Sequence, residues 1–221
     1  MDEHRRGLLA LMVEQQVLKF GEFTLKSGRL SPYFFNLGAI DSGAAIASLG
    51  DAYAARIEAL DVNFDVLFGP AYKGIPIAVA TAEALARGGR DVGWAFNRKE
   101  PKDHGEGGRF VGAALEGRVL LVDDVLTAGT AVREAAGLIA DAGAELAGVV
   151  IALDRQERQQ ASNGHTAVSE LAAELKVPVV SIVTLQDVIE YLDSEPNQDK
   201  YRRAVVEEIK QYQEAYCVRR A

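Results

Sequence analysis

VLLVDDVLTAGTA, residues 119–131, opens with four apolar residues and then turns polar at Asp123 and Asp124. The apolar run predicts a buried strand, and Thr127-Ala128-Gly129-Thr130 leads into a helix. In open α/β sheets, ligands bind at the carboxyl ends of the strands, where this turn falls. A Thr- and Gly-rich turn at a helix N-terminus exposes amides and hydroxyls that suit a phosphate. The two carboxylates can accept hydrogen bonds from sugar hydroxyls or help place a divalent ion. Taken alone, the stretch also reads as a surface turn with Thr127 as a helix cap. It has neither the GxxxxGK[ST] of a Walker loop nor the GxGxxG of a dinucleotide fold, which argues against a nicotinamide oxidoreductase.

Strand and helix signals alternate outward from it. FDVLFGP (64–70), DVGWAFN (91–97), RVLLVDD (118–124), AGVVIALD (147–154) and PVVSIVT (178–184) read as short apolar strands. Helical stretches are expected over about 77–86, 129–142 and 166–176, with a polar surface helix over about 198–215. Near the start, 3–19 reads as an amphipathic helix, FTLKSG and SPYFFNLG as extended segments, and an Ala-rich helix ends near Leu60. This order predicts an α/β fold: an open, mostly parallel central sheet flanked by helices, with small N- and C-terminal elaborations. No repeat or low-complexity linker divides the chain, so one domain is expected over 1–221.

Other segments carry polar chemistry at the same sheet edge. GPAYKGIP (69–76) follows a strand and precedes a helix. There Lys73 can neutralise a phosphate, and Gly69 and Gly74 are expected to turn amides towards the ligand. An exposed Tyr72-Lys73 pair is the plainer alternative. Phe34 and Phe35 are adjacent on a strand, so one ring is expected in the core and the other free to stack. Arg155 follows a strand ending in Asp154 and suits a carboxylate, unless it pairs with Asp154 or Glu157. NRKEPKDHGEGGR (97–109) is nearly devoid of apolar residues and reads as an exposed, mobile segment, either a plain connector or a basic lid.

Charge and cysteine content restrict the function classes. Lys plus Arg number 24 against 32 Asp plus Glu, a net charge of −8, which disfavours a nucleic-acid or anionic membrane surface. A lone Cys217 forbids an intramolecular disulfide and a cysteine-based zinc cluster, and His4, His104 and His165 show no metal-ligand spacing. There is no signal-peptide pattern and no apolar run of the roughly 20 residues needed to span a membrane. The expectation is a cytoplasmic protein.

FTLKSGRLSPYFFN, FGPAYKGIP, FNRKEPKDHGEGG, VLLVDDVLTAGTA and ALDRQER together resemble the orotate phosphoribosyltransferases, in their short bacterial form, over essentially the whole chain. The DDxxTAGT portion marks phosphoribosyltransferases generally; RKEPKDHGEGG and the Lys26, Phe34, Phe35 segment are specific to the orotate branch. The resemblance implies the type I phosphoribosyltransferase fold with a hood-like N-terminal elaboration over 1–40 that binds the base. It implies Mg2+-dependent transfer of the phosphoribosyl group from 5-phosphoribosyl diphosphate to orotate, giving orotidine 5′-phosphate and diphosphate in pyrimidine biosynthesis.

Residue by residue, Asp123 and Asp124 would hold the ribose hydroxyls. Val125, Leu126, Thr127, Ala128, Gly129, Thr130 and Ala131 would line the donor, with 127–131 on its 5-phosphate. Tyr72 and Lys73 would contact the diphosphate side, and Lys26 would reach the donor from near the orotate. Phe34, Phe35, Thr127 and Arg155 would contact orotate, Arg155 near its carboxylate. Arg98, Lys99, Lys102 and His104 would sit on the mobile catalytic loop, 97–109, and catalytic roles are implied for Lys102, His104, Lys73, Asp123 and Asp124. Magnesium would be held mainly by the diphosphate, ribose hydroxyls and water rather than by protein side chains. A homodimer is implied, its loop serving the neighbouring active site. The 221 residues leave no room for a fused decarboxylase, so that step is expected on another chain. A transferase for a purine or another pyrimidine base and a non-catalytic sensor of the donor are the competing readings; Phe34, Phe35, Arg155 and the full loop weigh against the first, and the intact basic loop against the second.

Overall fold

The computed structural model describes residues 1–25, 28–102, 108–158, 164–194 and 200–218, with backbone only at Pro101 and Lys102. Asp2 accepts a hydrogen bond from Arg5 N at 2.9 Å and starts helix α1, Glu3–Glu14. The helix expected to run to 19 is shorter. Gln16 adopts φ 54°, outside the helical region, and the chain leaves as β1, Leu18–Thr24. This strand pairs antiparallel with β2, Leu30–Phe35, in a separate two-stranded sheet. Ser42 caps α2, Gly43–Glu58, by accepting from Ala45 N.

The sheet-forming region follows: β3, Val66–Phe68; α3, Gly74–Arg87; β4, Gly93–Lys102; β5, Gly108–Gly112; and β6, Arg118–Val125. It continues through α4, Thr130–Asp141; β7, Glu145–Asp154; α5, Ala167–Leu175; and β8, Val179–Thr184. Two helices end the described chain: α6, Leu185–Ser194, and α7, Lys200–Tyr216. The strand order is β5-β4-β3-β6-β7-β8, parallel except for β5, which runs antiparallel to β4. The open, mostly parallel sheet is as expected. From β3 the chain goes to β4 on one side, whereas from β6 it goes to β7 on the other. The crevice at the ends of β3 and β6 is therefore a topological switch point, the place where such sheets bind ligands.

Both faces of the sheet are covered, which is why its strands read as continuous apolar runs. Along β6, Leu120 and Val122 join a core with Tyr53 of α2, Ile77 of α3 and Ile209 of α7. Val119 and Leu121 point the other way, to Val132 and Ile139 of α4 and Leu171 of α5. Helices α2 and α3 approach closely because Gly50 has no side chain: a Cβ there would lie 2.5 Å from Ala80 O.

Three further features differ from the sequence expectations. Residues 97–102 are not a loop but the end of β4, paired with β5 at Asn97↔Phe110 and again at Lys102↔Gly108. Helix α6 was not expected, since it follows β8 with no intervening turn. Its start is a reciprocal cap in which Thr184 N donates to Asp187 Oδ2 and Asp187 N donates to Thr184 Oγ1. Helix α7 is not merely a surface helix: it buries Val205, Val206, Ile209, Tyr212 and Gln213. No helix among the described residues is long and apolar enough to cross a membrane.

Candidate active site

Asp123 and Asp124 occur where β6 reaches the switch point, and both are buried. Asp123 Oδ1 accepts from Asp124 N (2.9 Å) and Asp124 Oδ1 accepts from Val125 N (2.8 Å), so each carboxylate is braced by the next amide. Tyr53 of α2 anchors the strand end from below, its hydroxyl donating to Asp123 O at 2.7 Å. Lys73 arrives from the turn after β3, and its Nζ donates to Asp124 Oδ2 at 2.8 Å. The structure therefore brings the two signature segments together. Burial, and then the neighbouring Asp124 charge, push the Asp123 carboxyl up from 3.8 to about 6, with Lys73 opposing.

The turn at 69–76 differs from expectation in what its glycines do. Gly69 N donates to Ala95 O and Gly74 N to Pro70 O, so neither amide is offered to a ligand. Their reason is packing, because a Cβ on Gly69 would lie 2.0 Å from Gly74 O. Between them the Ala71–Tyr72 peptide bond is cis, and Ala71 N donates to Asn97 Oδ1 at 3.0 Å. Tyr72 is 68% exposed, and Lys99 Nζ lies 4.9 Å from its ring centre. Nη1 of the neighbouring Arg98 is buried with no hydrogen-bond partner among the described residues.

After Asp124 the chain passes Leu126, which is buried, and reaches the turn at Thr127 and Ala128. Gly129 takes φ 72° to enter α4, with no side chain capping the helix. The amides of Thr130, Ala131 and Val132 thus have no intrahelical partner, the arrangement that suits an anion. A Cβ on Gly129 would meet Leu171 Cδ1 at 2.6 Å. Arg133 steadies the turn: its Nη1 donates to Ala128 O at 2.6 Å, while Glu174 holds the same guanidinium.

Arg155 lies beyond the end of β7 and is buried. It is not free. Its Nε donates to Glu157 Oε1 at 2.7 Å, and its guanidinium stacks 4.4 Å over the Tyr33 ring. Burial disfavours the cation, but Tyr33 and Glu157 outweigh this and hold Arg155 firmly protonated. Cys217 donates to Arg155 O, and burial pushes its thiol up to about 12, so it is a packing residue here.

On β2, Ser31, Tyr33 and Phe35 face inward and Phe34 outward. Phe35 is a core residue at 7% exposure. Phe34, 40% exposed, stacks on Phe23 with ring centres 5.5 Å apart. Arg155 contacts Ser31 and Tyr33, so the Phe34 ring and the Arg155 guanidinium are on opposite faces of this strand. Lys26 and His104 lie outside the described residues, as does the Lys102 side chain. Sequence reasoning missed Tyr33 beneath Arg155, and Arg29 and Tyr212 on its partner Glu157. The only advance sign was the apolar spacing 205, 209, 212, which marks the inward face of α7.

The family model for the phosphoribosyl transferase domain matches residues 36–181. An orotate phosphoribosyltransferase of Chromohalobacter salexigens is 54% identical over 227 residues, covering 99% of this chain and 97% of that protein. The crystal structure of orotate phosphoribosyltransferase from Francisella tularensis superposes with a TM-score of 0.81 at 42% identity, covering 95% of this chain and 98% of that one. The Mycobacterium tuberculosis H37Rv orotate phosphoribosyltransferase, solved in complex with 5-phospho-α-D-ribosyl 1-diphosphate, has a TM-score of 0.63 at 26% identity, covering 84% and 98%.

Proposed function

Since the chain belongs to the orotate phosphoribosyltransferases, we propose that it transfers the phosphoribosyl group of 5-phosphoribosyl diphosphate to orotate in pyrimidine biosynthesis. The observation that carries this reading is the meeting of Lys73, Asp123 and Asp124 at the switch point, in the same chain run as the uncapped start of α4. A cation for diphosphate, carboxylates for ribose hydroxyls and free helix amides for the 5-phosphate are the three chemistries the donor requires.

In the reaction, orotate N1 attacks the anomeric carbon, the bond to the diphosphate oxygen breaks, and the configuration inverts. Orotate ionised at N1 is already a nucleophile, so no strong general base is needed. Asp123 and Asp124 hold the ribose hydroxyls and support the positive charge that develops on the sugar. Lys73 and Tyr72 flank the departing diphosphate. Thr127 to Ala131 grip the 5-phosphate and so fix the anomeric carbon in line with the base. Arg155 takes the orotate carboxylate, with Lys26, Thr127 and the Phe34-Phe35 strand along the pyrimidine. This cation favours orotate over a neutral base, which has no carboxylate to pair with it.

Magnesium fits this arrangement as an ion carried by the substrate. Among the described residues no three His, Cys, Asp or Glu side chains come together to hold a metal, while Asp123 and Asp124 offer oxygen atoms beside the donor. When bound, it supplies charge neutralisation for the leaving diphosphate. We further assign residues 1–40 to base binding, and we assign the segment 97–109, which starts as the outer end of β4, to carrying Arg98, Lys99, Lys102 and His104 into the neighbouring site of a homodimer. The reach of β4 to Lys102, beyond its pairing with β3, supports such a projection. The donor and magnesium are both available in the cytoplasm, where we place the reaction.

The test is ultraviolet absorbance of orotate with donor and magnesium, run beside adenine, hypoxanthine and uracil. Orotate alone should be consumed, with diphosphate released. Consumption of a neutral base instead would overturn the assignment.

A further inference from the structure

Glu157 already occupies the guanidinium assigned to the substrate carboxylate. Nε and Nη2 of Arg155 both reach Glu157 Oε1 at 2.7 Å. Tyr212 of α7 donates to the same oxygen at 2.7 Å, and Arg29 Nη1 lies 3.4 Å from Oε2. Arg155 Nη2 also reaches Ser31 Oγ at 3.4 Å, whereas Nη1 makes no hydrogen bond among the described residues. Glu157 therefore takes one edge of a planar fork and leaves the other edge, through Nη1, for a second carboxylate. The Tyr33 ring beneath fixes the plane of the fork.

We infer that Glu157, held by Tyr212 and Arg29, is a positioning residue that aims the free edge of Arg155 at the orotate carboxylate, so that α7 takes part in selecting the base. This rests on the assignment of Arg155 to orotate made above. An unbraced arginine keeps several rotamers and loses affinity in ordering them; a fixed carboxylate oxygen shared by Nε and Nη2 reduces that loss. The placement along the chain agrees. Arg29, Tyr33 and Tyr212 all lie outside residues 36–181, the part matched to a domain common to phosphoribosyltransferases as a class. Arg155 and Glu157 themselves lie within that part, so what is contributed from outside it is the brace on Glu157 and the ring beneath Arg155.

The test uses steady-state kinetics of the full chain with each substrate varied, together with melting temperature. Tyr212→Phe keeps the ring and removes only the hydroxyl that holds Glu157. It should raise the orotate KM by about fivefold, with kcat and the donor KM within about twofold of the parent. Glu157→Gln should raise the orotate KM further, and Arg155→Ala most of all. If Arg155→Ala raises the orotate KM while Tyr212→Phe and Glu157→Gln leave it unchanged or lower it, Glu157 does not position Arg155. Losses in kcat and both KM values that track melting temperature would likewise overturn the inference, since they mark a merely structural role. An Arg155→Ala variant with unaltered orotate KM would instead overturn the underlying assignment of the base site.

Discussion

Lys73 Nζ stands 2.8 Å from Asp124 Oδ2, joining the turn after β3 to the end of β6 across the switch point. The lysine side chain is 51% exposed, so solvent screens the pair and its contribution to stability is under about 1 kcal/mol. Its value is positional. Lys73→Met should lower kcat/KM for the donor about a hundredfold and move the melting temperature by no more than about 3 °C. Kinetics and thermal melts of one preparation check this; a large drop in melting temperature would mean that the pair is mainly structural.

Asp123 makes stability and activity respond to pH in opposite senses. Burial first, then Asp124, raise its folded-state value to about 6, against 3.8 for an ordinary side chain. The folded protein therefore binds this proton more tightly than the unfolded chain does. The resulting stabilisation is complete below about 3.8 and is lost as pH rises through about 6, about 3 kcal/mol in all. Asp123→Asn should be more stable than the parent at pH 7 and should lack this component of the slope in urea unfolding between pH 4 and 7. The ribose hydroxyls need the carboxylate, so kcat/KM for the donor should rise through about pH 6 in the parent. The Asn variant should lose that limb. An identical pH dependence of unfolding in both proteins would contradict the burial argument.

Phe34 and Phe35 should separate cleanly in stability. Phe35 belongs to the core, and Phe35→Ala should cost about 3–5 kcal/mol in denaturant unfolding. Phe34 loses only its stacking on Phe23, so Phe34→Ala should cost about 1 kcal/mol. Equal losses would show that the outward ring is also packed.

If the loop serves a neighbouring site, two dead proteins should make one live enzyme. Lys102→Ala and Asp124→Asn, each inactive alone, should recover up to about a quarter of parental activity after subunit exchange, because half of the dimers are mixed and each has one intact site. Failure to recover, with exchange demonstrated by a mass-tagged subunit, would place Lys102 in its own protomer's site.

Much of the sheet was legible because a parallel strand covered on both faces must be apolar along its whole length. VLLV at 119–122 and VVIAL at 149–153 meet that demand and could hardly lie elsewhere. The edges were less legible. Lys99 and Glu100 of β4 and Gly108, Arg109 and Gly112 of β5 are exposed, so little hydrophobic pattern was imposed on this edge, and 97–102 read as a loop. The first helix was overestimated because Gln16, whose positive φ ends it, carries no glycine signature.

The sequence by itself determined the alternation of strands and helices, the acidic pair at the end of β6 and the anion-binding turn beyond it, because each is a local pattern set by period, turn chemistry and backbone geometry. Only the tertiary structure decided which side chains meet. Lys73 and Asp124 are 51 positions apart in the chain, and Glu157 and Tyr212 are 55 apart. Both contacts depend on the order in which strands are laid down and on a terminal helix folding back over the sheet. The same packing spent the amides of Gly69 and Gly74 within the protein and chose Phe35 over Phe34 as the inward ring. Composition and spacing along one dimension carry no record of such contacts, because the free energy that selects them comes from burial shared among distant segments.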